Sequence, residues 1–167
     1  MGKSERHSIM LKLRDPKPGD YGWVIHRQAV LYAEEYGWNN DYEALIAGII
    51  ADIHRRFDPA RERIWVAERD GEVVGSVFLV AGEGTVAKLR LLYVDPSCRG
   101  QGLGKRLVRE VVECARDRGY SKMTLWTQSN LQAARGIYKS EGFQLVKSEP
   151  HRSFGVDLVG ETWELVL

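Results

Sequence analysis

The run Arg99-Gly100-Gln101-Gly102-Leu103-Gly104-Lys105 follows the apolar stretch Lys88–Val94 and opens a segment with helical spacing. Read as a strand, a turn and a first helical turn, it builds a cradle for an anion. Glycines leave backbone N–H groups uncovered, and the free N–H groups and dipole of the next helix converge on one point. Arg99 and Lys105 add positive charge there. The chemistry served is the holding of a phosphate or pyrophosphate. Two familiar phosphate loops are excluded by spelling. A dinucleotide fingerprint needs Gly-x-Gly-x-x-Gly, whereas Gly100, Gly102 and Gly104 alternate. A P-loop needs a glycine where Arg99 stands and a hydroxyl where Arg106 stands.

Elements on both sides must position this turn. Ile9–Leu13 alternates as a first strand, ended by Asp15-Pro-Lys-Pro-Gly19. A helix is expected from Asp20, as its cap, to Tyr36, with Gly37 as its stop. A second spans Asp41–Arg56, with Leu45, Ile46, Ile49, Ile50 and Ile53 on one stripe. Ile64–Arg69 and Glu72–Val80 flank Asp70-Gly71, a hairpin signal. Gly82-Glu-Gly84 then turns the chain into the strand that ends at Val94. After the glycine turn, Leu107, Val111, Cys114 and Ala115 mark a helix ending at Gly119. Met123–Thr127 reads as a buried strand, Ala133–Glu141 as a short helix and Phe143–Lys147 as a strand; Thr162–Leu167 alternates and can close the sheet as its last strand.

The 167 residues suit one domain spanning the whole chain, large enough to bury roughly two-thirds of its unfolded surface. No segment approaches the ~20 apolar residues of a membrane span, and Met1–Ser8 has no apolar signal core, so a cytoplasmic location is expected. Cys98 and Cys114 are the only thiols, which suits a reducing compartment. With 24 Lys and Arg against 23 Asp and Glu, there is no basic stripe of the kind nucleic-acid binding uses. No spacing indicates a metal site, and no Ser-His-Asp order suggests an acyl-enzyme.

The pattern Arg-x-x-Gly-x-Gly after Leu92-Tyr93-Val94-Asp95-Pro96 resembles the pyrophosphate loop of the GNAT superfamily of acyl-CoA N-acyltransferases. A second stretch, Trp126-Thr-Gln-Ser-Asn130 leading to Tyr138 and Gly142-Phe143, resembles the other superfamily motif, and order and spacing both fit. The likeness covers roughly Ile64 to Val146. More narrowly, Gly22-Trp-Val-Ile-His26, Glu35-Tyr-Gly-Trp38 and His151-Arg-Ser-Phe-Gly155 with Leu158-Val-Gly160 resemble the acyltransferase half of bacterial MarR–GNAT fusion regulators. The resemblance implies an α/β (α+β) fold: a mixed, mostly antiparallel central sheet with helices on both faces. It also implies direct acetyl transfer from acetyl-CoA to a primary amine of a small molecule, a protein lysine or an N-terminus. No metal, nucleic acid or membrane is called for, and a homodimer is in keeping with relatives that pair through edge strands or helices. The rival reading is a module that binds acyl-CoA without chemistry.

Acyl transfer needs a held donor, a deprotonated amine, a stabilised oxyanion and a protonated leaving thiolate. By resemblance, Arg99, Gly100, Gln101, Gly102, Leu103, Gly104 and Lys105 take the pyrophosphate. Leu92, Tyr93 and Val94 pair with the pantetheine arm as an added strand would, and an N–H near Tyr93 or Val94 meets the oxyanion. Tyr138 is the candidate general acid, since a phenol with a pKa of ~10 stays protonated at neutral pH; its plainer role is packing at the sheet edge. Asn130 either contacts the cofactor or caps the helix after it. Many relatives place an acidic residue on the strand before the loop, and here that strand has none. Glu34 and Glu35 are the replacements as base, with His26 or His151 as further candidates. Tyr32, Tyr36, Trp38, His26, His151 and Phe154 can line an acceptor site. Arg90 either faces that site and attracts a carboxylate or pairs with a surface acid.

Overall fold

The computed structural model describes residues 11–167; Ile9, Met10 and the Met1–Ser8 segment lie outside the described residues. The elements run β1 (Leu11–Arg14), α1 (Asp20–Tyr36), α2 (Asn40–Arg55), β2 (Arg63–Arg69), β3 (Glu72–Ala81), β4 (Val86–Val94), α3 (Leu103–Asp117), β5 (Lys122–Gln128), α4 (Gln132–Ser140), β6 (Gln144–Ser153) and β7 (Val156–Val166). A single 3-10 turn, Pro96–Cys98, joins β4 to the glycine-rich loop. The strands form one 7-stranded sheet in the order β1-β2-β3-β4-β5-β7-β6. Only β4 and β5 run parallel, so the sheet is mixed and mostly antiparallel, as expected.

Alternation along the strands sends neighbouring side chains to opposite faces. Ile64 and Phe78 meet Val24 of α1 and Ile46, Ile50 and Ile53 of α2. Trp65, Val77, Leu79 and Leu89 face Leu107, Val108 and Val111 of α3 and Tyr138 of α4. Helices therefore cover both faces, and β3 and β4 are buried between them. A third, aromatic cluster of Trp38, Phe154 and Leu158, joined by Tyr32, Tyr36 and Tyr42, fills the end of α1 beside the β6–β7 turn.

Two local expectations need correction. Asp20 does not cap α1: Gly19, at φ 97, is the N-cap, and Asp20 is the first helical residue. Its carboxylate instead accepts from the Lys17 N–H at 2.6 Å and pairs with Arg14 at 2.7 Å, tying the strand to the helix. Gly37, at φ 72, ends the helix where expected. The last hairpin is longer than its apolar pattern suggests. β6 continues through Glu149-Pro150-His151-Arg152, β7 begins at Val156, and β7 lies inside the sheet while β6 forms its edge. Proline is tolerated on an edge strand because no ladder bond needs its missing N–H, which is why Pro150 does not end β6.

The Asp20 contacts predict a pH-dependent stability. Burial pushes its carboxyl up, but bonds from Arg14 and the Lys17 N–H outweigh this and hold it below the usual range. A lowered folded value means the stabilisation is complete above the unfolded pKa of about 3.9 and is lost as pH falls through the folded value. Asp20→Asn is expected to cost about 2 kcal/mol at pH 7. That is roughly 4–8 °C in Tm for a chain of this size. The gap to wild type should close below about pH 4 in thermal melts; a constant gap would refute the assignment.

Candidate functional site

β4 and β5 pair only from Val86 to Lys88 against Lys122 to Thr124. Beyond that, β4 stays with β3 as far as Gly75–Val94, and β5 stays with β7 as far as Gln128–Gly160. The two halves of the sheet diverge, and the edge of Leu89–Val94 that faces the gap has no strand partner. A bulge in the β3–β4 register lies at the same place, between Ser76 and Phe78. Opposite it, Leu91 takes a left-handed backbone, φ 52, and its carbonyl accepts from Ser76 Oγ at 3.2 Å. A left-handed leucine costs on the order of 1–2 kcal/mol, and such strain collects where strands are bent around a site.

Two clefts open from the gap. The loop-side cleft, ≈ 380 Å³, lies between Leu92–Val94, the Arg99–Lys105 loop, the first turns of α4 and the Tyr32–Tyr36 end of α1. The far cleft, ≈ 130 Å³, lies between α1 and α2 on one side and β4, the end of β5, Tyr138 and Phe154 on the other. Tyr32, Leu92, Leu131 and Ala134 line both, so the clefts meet through the split.

The loop has the form its sequence implied. Gly100 and Gly102 take left-handed backbones, φ 77 and 78, which a side chain would strain. Gly102 caps α3 without a side-chain bond, and among the described residues no backbone acceptor takes up the N–H groups of Gly102, Leu103, Gly104 or Lys105. Gly104 answers a different need. A Cβ there would sit 2.6 Å from Ile137 Cδ1 and 3.4 Å from Val94 Cγ2, so glycine lets α3 approach α4 closely. Two ion pairs hold α1 to this region, Arg27–Asp95 at 3.0 Å and Arg99–Glu35 at 2.7 Å. The free N–H groups, with Arg99 and Lys105 beside them (the one paired with Glu35, the other 3.8 Å from Glu141), and a cleft lined by Leu92–Val94 fit a pyrophosphate with an attached arm along β4.

The other predicted residues divide between the clefts. Leu92, Tyr93, Val94, Arg99, Gly100, Gly102, Leu103, Gly104, Lys105 and Tyr36 line the loop-side cleft. Trp38, Arg90, Tyr138 and Phe154 line the far one. Gln101 lines neither; it accepts from Arg69 at 3.4 Å and donates to the Ser97 carbonyl at 3.4 Å. Asn130 lines neither and does not cap α4, whose N-cap is Leu131; its Oδ1 is buried without a partner. Glu34 and His26 are exposed and line neither cleft. His151 stands behind the wall of the far cleft, its Nε2 2.8 Å from Gln128 Oε1 and its Nδ1 2.9 Å from Ser153 Oγ, with its ring 5.5 Å from that of Trp126.

Glu35 needs a different role from the one expected. Its carboxylate is committed to Arg99 on the loop side, so it anchors the loop and is not placed to take a proton in the far cleft. Among the described residues, no Asp, Glu or His lines the far cleft. Burial pushes the Tyr138 phenol well above its ordinary pKa, so it stays protonated, and burial lowers the pKa of the Arg90 guanidinium. Sequence reasoning missed Gln28, Tyr42, Gln128 and Leu131 as wall residues. Gln28 had a readable signal: it lies four residues before Tyr32, on the same side of α1 as Val24 and Leu31, a polar residue on an apolar stripe.

The split sheet thus carries an anion loop at one mouth and a second cleft behind it. The model of the Acetyltransferase (GNAT) family matches residues 25–143. Human N-acetyltransferase 8B is 45% identical over 85 residues, covering 48% of this chain and 37% of that protein. The uncharacterized N-acetyltransferase YjgM of Escherichia coli (strain K12) is 32% identical over 114 residues, covering 66% of this chain and 68% of that protein. The chain spans about half the length, or less, of the mammalian relatives it matches. The structure of yncA, a putative acetyltransferase from Salmonella typhimurium with its cofactor acetyl-CoA, shares the fold at a TM-score of 0.71 and 21% identity, over 94% of each chain. The chain belongs to the GNAT acetyltransferase family.

Proposed function

We propose that the protein transfers an acetyl group from acetyl-CoA to a primary amine of a small molecule or peptide, by direct attack. The observation that carries this is the meeting of the two clefts at the split between β4 and β5. Acetyl-CoA supplies the activated acyl group as a thioester. The N–H groups of Gly102–Lys105 bind its pyrophosphate, with Arg99 and Lys105 adding charge. The unpaired edge of Leu92–Val94 offers backbone partners to its arm. Tyr138, on the far side of Ala134, holds the proton needed by the leaving thiolate. Among the described residues no carboxylate or histidine lines the far cleft, and in this reading the amine gives its proton to water.

The same lack favours one other reading, a module that binds acyl-CoA without turning it over. Thermal melts with acetyl-CoA and thiol release across a panel of amines separate the two. Stabilisation with turnover on at least one amine class is the expected result. Stabilisation without turnover on any amine would support the binding module, and neither would overturn both. Two of the three segments that resemble the acyltransferase half of MarR–GNAT fusions contribute Tyr36, Trp38, Phe154 and Leu158 to the aromatic cluster beside the far cleft. We also propose a cytoplasmic site of action, a reading that the two free thiols, Cys98 and Cys114, support. Among the described residues, no helix is long and apolar enough to cross a membrane.

A further inference from the structure

We infer that the far cleft selects acceptors by a carboxylate: Arg90, with Gln28 and Trp38, holds the acid group of a compact amino acid while its amine faces the split. This deepens the acetyl-transfer reading and rests on it. Arg90 extends from β4 into the far cleft and makes no ion pair or hydrogen bond among the described residues; burial alone perturbs it. Arg14, Arg27 and Arg135, also part-buried, each hold a carboxylate of the protein. A cation withdrawn from water without a counter-ion is costly, and a ligand that supplies the anion removes that cost.

Two further residues that line the same cleft carry unengaged donors. Gln28 and Trp38 are 2% and 4% exposed, and Gln28 Nε2 and Trp38 Nε1 are buried with no acceptor. The Tyr42 hydroxyl donates to Gln28 Oε1 at 2.9 Å, which leaves the amide N–H₂ as the unengaged end. Buried donors in native proteins nearly always have partners; here two lack them beside the unpaired Arg90, in a cleft that among the described residues carries no acidic side chain. The cleft therefore suits an anion and disfavours a polyamine or a lysine side chain flanked by other cations. A protein N-terminus would present a neutral carbonyl where a free amino acid presents a charge. The volume of ≈ 130 Å³ suits a compact head group, and Leu45, Ile49 and Trp126 give the rim an apolar character that an aliphatic or aromatic side chain would cover.

Matched pairs test this directly. Free L-leucine and L-phenylalanine are compared with L-leucinamide and L-phenylalaninamide, within a panel of all twenty free amino acids and their amides. Both thiol release and binding to the CoA-loaded protein are measured. The amides are the more easily deprotonated amines, so a preference for the free acids must come from binding. Wild type is expected to favour the acid by 10- to 100-fold in kcat/KM, the range of a charge-assisted contact, carried mainly by KM. Arg90→Met should collapse that ratio towards one, and Arg90→Lys should restore part of it. Acetyl-CoA-induced stabilisation serves as the check that each variant is folded and loaded. Equal use of acids and amides, or an acid preference that survives Arg90→Met, would overturn the inference. So would failure of every free amino acid both to react and to bind. Acid-selective binding lost in Arg90→Met, with no turnover on any amine, would keep the carboxylate site and overturn acetyl transfer.

Discussion

Tyr138→Phe is expected to lower kcat about 100-fold or more, the range of a lost general acid, while acetyl-CoA still stabilises the variant as it does wild type. The phenol sits on α4, one turn beyond Ala134, which belongs to both clefts, and it is almost fully buried. Desolvation raises its pKa, with Tyr32 adding to the effect. A phenol raised in this way remains protonated at neutral and mildly alkaline pH. The wild-type pH–rate profile should therefore show no alkaline limb from Tyr138, and its rise with pH should follow the acceptor amine. Phenylalanine keeps the packing against Phe143, whose ring lies 5.8 Å away, so the melting temperature should change little. Tyr32→Phe is the discriminating control, because Tyr32 is the one residue common to both clefts that carries an acidic proton. Full turnover in Tyr138→Phe would end the proposal for Tyr138, and a collapse confined to Tyr32→Phe would move the role to α1.

The glycine loop is legible in the sequence because local chemistry specifies its backbone. Alternating glycines after a strand leave few backbone choices, and Gly100 and Gly102 adopt the left-handed turns that only glycine takes without strain. Asp70-Gly71 likewise closes its hairpin with φ 52 and 84, the pair of positive angles that two-residue hairpins require. The far cleft is less legible, since long-range pairing builds it. Glu35 stands beside Tyr36 and Trp38 in sequence, yet the side of α1 it occupies faces Arg99 across the loop-side cleft. Trp38 and Phe154, 116 positions apart in sequence, meet with ring centres 5.1 Å apart only because the β6–β7 hairpin folds back over the end of α1. That hairpin turns at Phe154-Gly155, with φ 57 and 79, and a phenylalanine at a positive φ gives no turn signal. Its inner strand also carries Glu161, a polar residue in the middle of a sheet, which breaks the apolar alternation that marks a strand.

Glu161 is the source of the largest expected loss of stability. The residue is 3% exposed and accepts two bonds from Arg135, at 2.7 and 3.1 Å, and one from Trp163 Nε1 at 3.2 Å. Arg135→Met would leave that carboxylate buried with a single neutral donor. Removing one partner of a buried pair typically costs 3–5 kcal/mol; because Arg135 keeps some exposure, about 3 kcal/mol is expected. For a chain of this size that corresponds to roughly 6–12 °C in Tm. The double variant Arg135→Met with Glu161→Leu removes the stranded charge together with its partner. It should recover most of the loss, since apolar replacement of a whole buried pair is often neutral or better. The pair also fixes α4 against β7, and α4 carries both Ala134 and Tyr138 into the far cleft. The single variant should therefore lose kcat as well as stability even when assayed well below its melting temperature, and the double variant should regain stability first. An unchanged melting temperature in Arg135→Met, or a double variant no more stable than the single one, would show that the ion pair does not hold α4 in place.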